Sequence, residues 1–259
     1  QDLLAVGYEN GNIDLVFKNN VINLPYIVQK PMQGSKQINN FYFTEDNLIY
    51  VSTGFGIVVV NIDKREIKDT YYIGTGGSDL WVNQVIFFNQ RIYAATSEGL
   101  LSANSSDPLL IHYASWTLEQ AIPGTGASYS SLAVFGNKLV VVQSTGESLP
   151  DVIHYYDSFA WTQFSSQYNT IKNAWANSNR LAIASRDGIS LYQSLPGVPT
   201  SYTNYNGAAE FNPNFAAFDF QGNLVVADKY QGLMYNNDDW WTRIAPNSPV
   251  EDRTYFVLP

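Results

Sequence analysis

A turn glycine returns six times along this 259-residue chain, at Gly11, Gly56, Gly99, Gly146, Gly188 and Gly232, with spacings of 45, 43, 47, 42 and 44 residues. Each stands at the same phase of a strand, turn and strand pattern, and no helical stripe runs between them. A period of about 40 to 50 residues carried by short apolar strands is the pattern of propeller blades, four-stranded sheets that pack face to face. The spacing therefore predicts an all-β propeller with six blades on this chain, or seven if a blade is missing upstream.

The phases within a repeat assign the strands. A first, innermost strand is expected at 39–43, 83–87, 130–134, 171–174 and 214–218, followed by polar hairpin tips such as Glu45-Asp46-Asn47, Asn89-Gln90 and Gly222-Asn223. Runs rich in Val, Ile, Leu and Ala follow at 48–52, 92–96, 139–143, 181–185 and 224–228; a strand apolar on both faces is one buried between neighbouring blades. The repeat glycine comes next, where a residue without Cβ is expected to take a positive φ. Trp116-Thr117, Trp161-Thr162 and Trp241-Thr242, with Tyr202-Thr203 in the same place, then mark an outer strand packed on the rim. The chain opens at 2–6 in the phase of a second strand and closes at 253–258 in the phase of a first. The last segment is thus expected to complete the opening blade. No linker-like shift in composition interrupts the pattern, so residues 1–259 are expected to form a single β-propeller domain.

Composition narrows the partners. Hydrophobic residues make up 45% and aromatic residues 15% of the chain, ample for a continuous core, against 14% charged. A net charge of −9 with no run of Lys or Arg excludes nucleic acid as the expected partner. The absence of cysteine removes disulfides, thiolate metal sites and cysteine nucleophiles together. The longest apolar runs, such as 57–60 and 139–142, fall far short of the roughly 20 residues that span a bilayer. The chain begins at Gln1 without a signal region, from which it is expected to be a processed or excised piece of a longer product.

Three stretches carry a resemblance: Tyr8-Glu9-Asn10-Gly11-Asn12-Ile13-Asp14-Leu15, Val51-Ser52-Thr53-Gly54-Phe55-Gly56-Ile57-Val58-Val59 and Ile67-Lys68-Asp69-Thr70-Tyr71-Tyr72-Ile73-Gly74. They resemble the N-terminal propeller of PorZ-like proteins, within the two-component-regulator propeller repeats of Bacteroidetes. The resemblance is sharpest over about the first 105 residues and persists afterwards as phase alone. It implies an exported protein placed in the periplasm, outer membrane or cell surface, serving the type IX secretion apparatus that attaches cargo to lipopolysaccharide. Related propellers form the sensing regions of hybrid two-component regulators, which keeps a glycan- or ligand-sensing ectodomain as the alternative. The family supplies no catalytic motif to carry over, and the resemblance implies that members carry a further blade upstream and more domains downstream, neither of which is expected within residues 1–259.

The residues offer little chemistry. His112 and His154 are the two histidines, each beside aromatic or β-branched residues at what reads as an outer-strand phase, and no Ser/His/Asp arrangement assembles around them. Two histidines without cysteine build no zinc set, and Asn236-Asn237-Asp238-Asp239 lacks the order of a calcium loop. Gly74-Thr75-Gly76-Gly77 and Gly124-Thr125-Gly126 precede neither a helix nor a Lys-Ser/Thr pair, so they read as turns. Asp238 with Asp239, and Glu251 with Asp252, read as solvated turn residues, and the first strands carry no carboxylate pair for a glycosidase. No enzymatic activity, cofactor or metal is expected.

What remains is a surface. The turns after the second strands and the connections between blades share one side, which is expected to display Phe55, Trp81, Glu98, Tyr129, Glu147, Arg186, Asp187, Lys229 and Tyr230, with the insertion 147–151 raised above its neighbours. Exposed aromatics among polar groups suit protein partners of a secretion or signalling complex, or a surface polysaccharide or lipopolysaccharide. The opposite side is expected to carry only short polar hairpins.

Overall fold

The computed structural model describes residues 3–18, 20–124, 126–146, 148–207, 210–237 and 240–244. The closing segment 253–258, the pair Asp238 and Asp239, Glu251 and Asp252, Glu147 and Thr125 lie outside them. The described chain is an all-β propeller sequence of blades: six antiparallel sheets, five of four strands and one of three, with one four-residue α-helix, α1 (Tyr26–Gln29).

Two compact units divide the chain, Gln1–Tyr129 and Ser130–Pro259. The first holds the three-stranded sheet β1 (Leu3–Gly7), β2 (Ile13–Phe17), β3 (Asn20–Leu24) and two complete blades. These are β4 (Ile38–Phe43), β5 (Leu48–Thr53), β6 (Gly56–Asn61), β7 (Glu66–Tyr71), and β8 (Val82–Phe88), β9 (Arg91–Thr96), β10 (Gly99–Asn104), β11 (Thr117–Leu118). The second holds three blades. They are β12 (Ser128–Phe135), β13 (Lys138–Ser144), β14 (Asp151–Tyr156), β15 (Trp161–Tyr168); β16 (Ile171–Ala176), β17 (Leu181–Ser185), β18 (Gly188–Tyr192), β19 (Thr200–Tyr202); and β20 (Pro213–Phe218), β21 (Leu224–Asp228), β22 (Gly232–Asn237), β23 (Trp240–Ile244). β12 begins two residues before the boundary. As the phases predict, β1 stands where a second strand stands in the other sheets, and among the described residues it pairs on one edge only, with β2.

All six residues of β5 and all five of β17 are buried, as runs apolar on both faces require. In the first unit the core gathers Tyr50, Ile57, Val59, Val82, Val85, Ile92 and Trp116; in the second, Val140, Ile153, Leu181 and Ile183 anchor one cluster and Ile189, Val226, Met234 and Trp241 another. Truncating any of the fully buried aliphatics to Ala costs about 2–5 kcal/mol.

One irregularity repeats. Pairing of first with second strand slips between Ile38 and Asn40, Val82 and Gln84, Ile171 and Asn173, and Pro213 and Phe215, leaving Asn39, Asn83, Lys172 and Asn214 as the extra, bulged residues. A bulge re-aims the side chain it carries. Asn39 Nδ2 donates to the Val82 carbonyl and Asn83 Nδ2 to the Tyr129 carbonyl, both at 2.7 Å, so within the first unit the bulge residue reaches the following first strand. Lys172 does the same in the second unit, donating to Asn214 Oδ1 at 3.1 Å.

The repeat glycines have two causes. Gly56 (φ 150°) and four others take positive φ as expected, but Gly188 does not. A Cβ there would stand 2.6 Å from the Tyr202 carbonyl oxygen, and at Gly56 2.3 Å from that of Tyr71. Glycine is required at Gly188 because the Tyr202 carbonyl of the neighbouring fourth strand occupies the space a Cβ would need, not because of its backbone dihedral.

Candidate interaction site on the turns

The turns after the second strands are fixed twice. First, the last residue of the second strand bonds across its own turn: Thr53 Oγ1 donates to Gly56 O (2.9 Å), Thr96 Oγ1 to Gly99 O (2.7 Å) and Ser185 Oγ to Gly188 O (3.1 Å). Asp228 does this with a carboxylate, accepting from Tyr230 N and Gln231 N at 2.8 and 3.0 Å. Second, in four of the six sheets the turn is stapled to the connection that precedes its blade: Gly54 N donates to Gln37 O, Ser97 N to Trp81 O, Arg186 N to Asn169 O and Thr170 O, and Lys229 N to Asn212 O, all at 3.0–3.1 Å. In these four blades turn and connection thus form one hydrogen-bonded ledge, with side chains that differ from blade to blade.

The nine residues expected on these ledges divide. Glu98, Arg186 and Asp187 are exposed, Tyr230 is 41% exposed, and Trp81 and Lys229 are half-buried. Trp81 is pinned, its Nε1 donating to Asn83 Oδ1 at 2.8 Å, and Asp187 Oδ2 accepts from Asn169 Nδ2 at 2.7 Å. Lys229 Nζ lies 5.5 Å from the Tyr230 ring centroid. Glu147 lies outside the described residues.

Phe55 and Tyr129 are corrections: they are 1% and 0% exposed and present no stacking surface. Phe55 N donates to Thr53 Oγ1, which folds the ring under the turn to within 5.9 Å of the Tyr72 ring. Burial raises the Tyr129 hydroxyl to about 12. Tyr129 stands in the strand register of Ile38, Val82 and Ile171, apolar or buried positions, and that phase identifies it as core.

The opposite ends of the sheets are also corrected. They were expected to carry only short polar hairpins. Yet the start of the connection between β10 and β11 exposes Leu109 and Ile111, and the tips of two hairpins expose Phe159 (92%) and Phe220 (101%). The signal was present in sequence, a lone aromatic inside Asp-Ser-Phe-Ala and Asp-Phe-Gln-Gly tips.

Neither histidine sits on an outer strand. His112 caps a 3-10 turn in the connection 105–116, its Nδ1 accepting from Ala114 N at 3.2 Å. His154 lies on β14, a third strand, 1% exposed, with Nε2 2.9 Å from Gln143 Oε1 and Nδ1 without a partner; burial lowers its pKa. Among the described residues no group of three His, Asp or Glu is placed to hold a metal ion, and no helix is long and apolar enough to cross a membrane.

The residue that sequence reasoning missed is Lys172. Its ammonium donates to Asn212 Oδ1 and Asn214 Oδ1, and burial lowers its pKa, with Asp228 opposing that shift and Lys229 and Arg186 adding to it. Lys172 shares the phase of Asn39 and Asn83, a spacing that marks it as a residue aimed out of its own strand.

Comparison with known proteins places these features in context. Residues 1–117 match the family described as "TSS9, PorZ, N-terminal beta-propeller domain", which bears out the resemblance over the stretch where it is sharpest. No curated protein matches the chain significantly. Among solved structures the chain is similar to PorZ, a surface component of the type IX secretion system of Porphyromonas gingivalis, at 15% identity and a TM-score of 0.55, covering 97% of this chain and 46% of that one. It is similar to the extracellular domain assigned to a one component system of B. thetaiotaomicron at 13% identity and a TM-score of 0.62, covering 97% and 35%. A chain of the mitotic checkpoint complex matches at 12% identity and a TM-score of 0.69, covering 98% and 76%. At these identities the structures establish the propeller fold. The chain spans about half of the PorZ structure and about a third of the B. thetaiotaomicron extracellular domain.

Proposed function

We propose that this chain is a non-catalytic β-propeller interaction module, one domain over residues 1–259, of an exported, surface-associated protein serving type IX secretion and cargo attachment. The match of residues 1–117 to the PorZ N-terminal propeller family carries the reading. The site chemistry supports it. The ledges hold fixed turns and exposed Glu98, Arg186, Asp187 and Tyr230, a surface suited to contact, while the buried His154 faces no nucleophile with which it could act. The partners on this reading are proteins of the secretion complex, with a surface polysaccharide or lipopolysaccharide as a further ligand stacked on Tyr230 of the second unit or, separately, on Trp81 of the first.

Affinity isolation of the full-length protein from its own cells, with bound proteins identified by mass spectrometry, tests this. Recovery of type IX secretion components is expected. Recovery of a cytoplasmic kinase or transcriptional output through the same polypeptide overturns it in favour of the second reading, a ligand-sensing ectodomain, which the likeness to the B. thetaiotaomicron extracellular domain favours.

A further inference from the structure

The end of the second unit away from its ledges is tipped with apolar side chains. In an antiparallel sheet the first-to-second and third-to-fourth connections leave one end and the second-to-third turn leaves the other. Ala174 N donates to Ser131 Oγ (3.0 Å) and Ala216 N to Asn173 Oδ1 (3.1 Å), so β12, β16 and β20 run side by side at one phase and the three sheets of the unit send these connections the same way. The Arg180 guanidinium follows the same alignment: it donates to Gly222 O in the hairpin of the next sheet, and its carbon lies 3.8 Å from the Phe218 ring centroid. At that end Phe159 (92%), Val198 (94%) and Phe220 (101%) stand almost unshielded, and Trp240, which opens β23, is 66% exposed. Apolar residues exposed singly are ordinary, but four large ones at one end of three neighbouring sheets mark a surface that meets something apolar.

The tips are built to hold these side chains outward. Asp157 Oδ1 accepts from Phe159 N and Ala160 N, both at 3.0 Å, and Asp219 Oδ1 from Gln221 N (2.9 Å) and Asn223 N (2.8 Å). In the connection from β18 to β19, Ser194 Oγ donates to Pro196 O at 3.2 Å and the buried Leu195 anchors the loop beneath Val198. These backbone donors are satisfied inside the tips, so water can leave the rings without stranding them.

Charge and spacing choose the occupant. Among the described residues of these hairpin tips the charged groups are Lys138, Arg180, Asp157 and Asp219, which cancel, so the tips favour neither an anionic nor a cationic surface. A ring as exposed as Phe159 or Phe220 has almost no neighbour in its own chain, and the tips therefore protrude separately instead of enclosing a groove. A protein partner needs a continuous complementary surface, whereas the headgroup and acyl boundary of a lipid layer deforms around each protrusion, at the depth where aromatic side chains are favoured.

We propose that this end of the second unit docks on a lipid surface of zwitterionic headgroups, with Phe159, Val198, Phe220 and Trp240 inserted at the interface. The inference goes beyond the reading of the ledges and does not rest on it, since the ledges leave the opposite ends of the same sheets.

Cosedimentation of the purified full chain with phosphatidylcholine vesicles, and with vesicles of phosphatidylcholine mixed with phosphatidylglycerol, at low and high salt tests the docking. Binding to phosphatidylcholine that changes less than about twofold with salt or with phosphatidylglycerol is expected. The double variant Phe159→Ser, Phe220→Ser is expected to lose about tenfold or more in partitioning with an unchanged melting temperature, because neither ring packs in the fold. Quenching of tryptophan emission by brominated phosphatidylcholine is expected in the wild type and reduced in Trp240→Phe. Absence of vesicle binding, binding that requires phosphatidylglycerol or is abolished by salt, undiminished binding in the double variant, or quenching unchanged in Trp240→Phe overturns the proposal. Self-association in sedimentation velocity that the double variant abolishes, without vesicle binding, overturns it in favour of a second copy of this chain.

Discussion

His154 and Asp228 are the two buried groups whose chemistry makes firm predictions. Burial holds the His154 imidazole below its ordinary value of 6.5, so the folded protein takes up this proton less readily than the unfolded chain. Above about pH 6.5 both states are neutral and nothing is lost; as the pH falls below that value the unfolded chain protonates first and stability declines. Urea unfolding at pH 7.5 and 5.5 is expected to show a smaller decline in His154→Gln than in the wild type, and equal slopes would contradict the assignment. For Asp228, truncation to Ala strands three backbone N–H groups and the Tyr205 hydroxyl, a cost of about 3 kcal/mol or more. Tyr205→Phe, which removes one of these bonds, is expected to cost about 1 kcal/mol in the same denaturant titration. Sequence alone identified neither role, because burial of a polar side chain is set by which neighbours the strands bring over it.

At the scale of elements, periodicity was legible and direction was not. The second strands were found to within a residue at 48–52, 181–185 and 224–228, because runs apolar on both faces leave few alternatives. The turn that follows was placed correctly, but the side to which Phe55 points depends on the bond from its own N–H to Thr53 Oγ1, a detail without sequence periodicity. Phe159 and Phe220 were overlooked for the opposite reason, since polar neighbours hid two exposed rings. The turn lock gives a further prediction. Thr53→Val, which keeps the shape and removes the hydroxyl, is expected to lower stability by about 1 kcal/mol. Gly56→Ala is expected to cost more, because its Cβ would meet the Tyr71 carbonyl at 2.3 Å at a φ of 150°. Thermal unfolding of the two variants separates a lost bond from a steric collision, and a harmless Gly56→Ala would show that the fourth strand can move away.

For the whole molecule the repeat fixed the fold class while the function had to come from particular ledges and from the family match over residues 1–117. Four of the six sheets repeat one scaffold, a bulge, a locked turn and a staple, and the residues that vary on it, Glu98, Arg186, Asp187, Lys229 and Tyr230 among them, are those free to acquire a partner. If residues 1–259 are one domain, calorimetry shows a single unfolding transition whose calorimetric and van't Hoff enthalpies agree; two separable transitions contradict that proposal. The claim that matters most is that the chain acts by contact through its turn ledges. Hydrogen exchange of the full-length protein, alone and with the secretion component isolated from cells, addresses it directly. The account predicts slowed exchange in the turns at 53–56, 97–99, 186–188 and 229–232, whereas protection confined to 105–111, 157–160 and 219–223 would place the contact on the opposite, apolar-tipped ends of the sheets and contradict it.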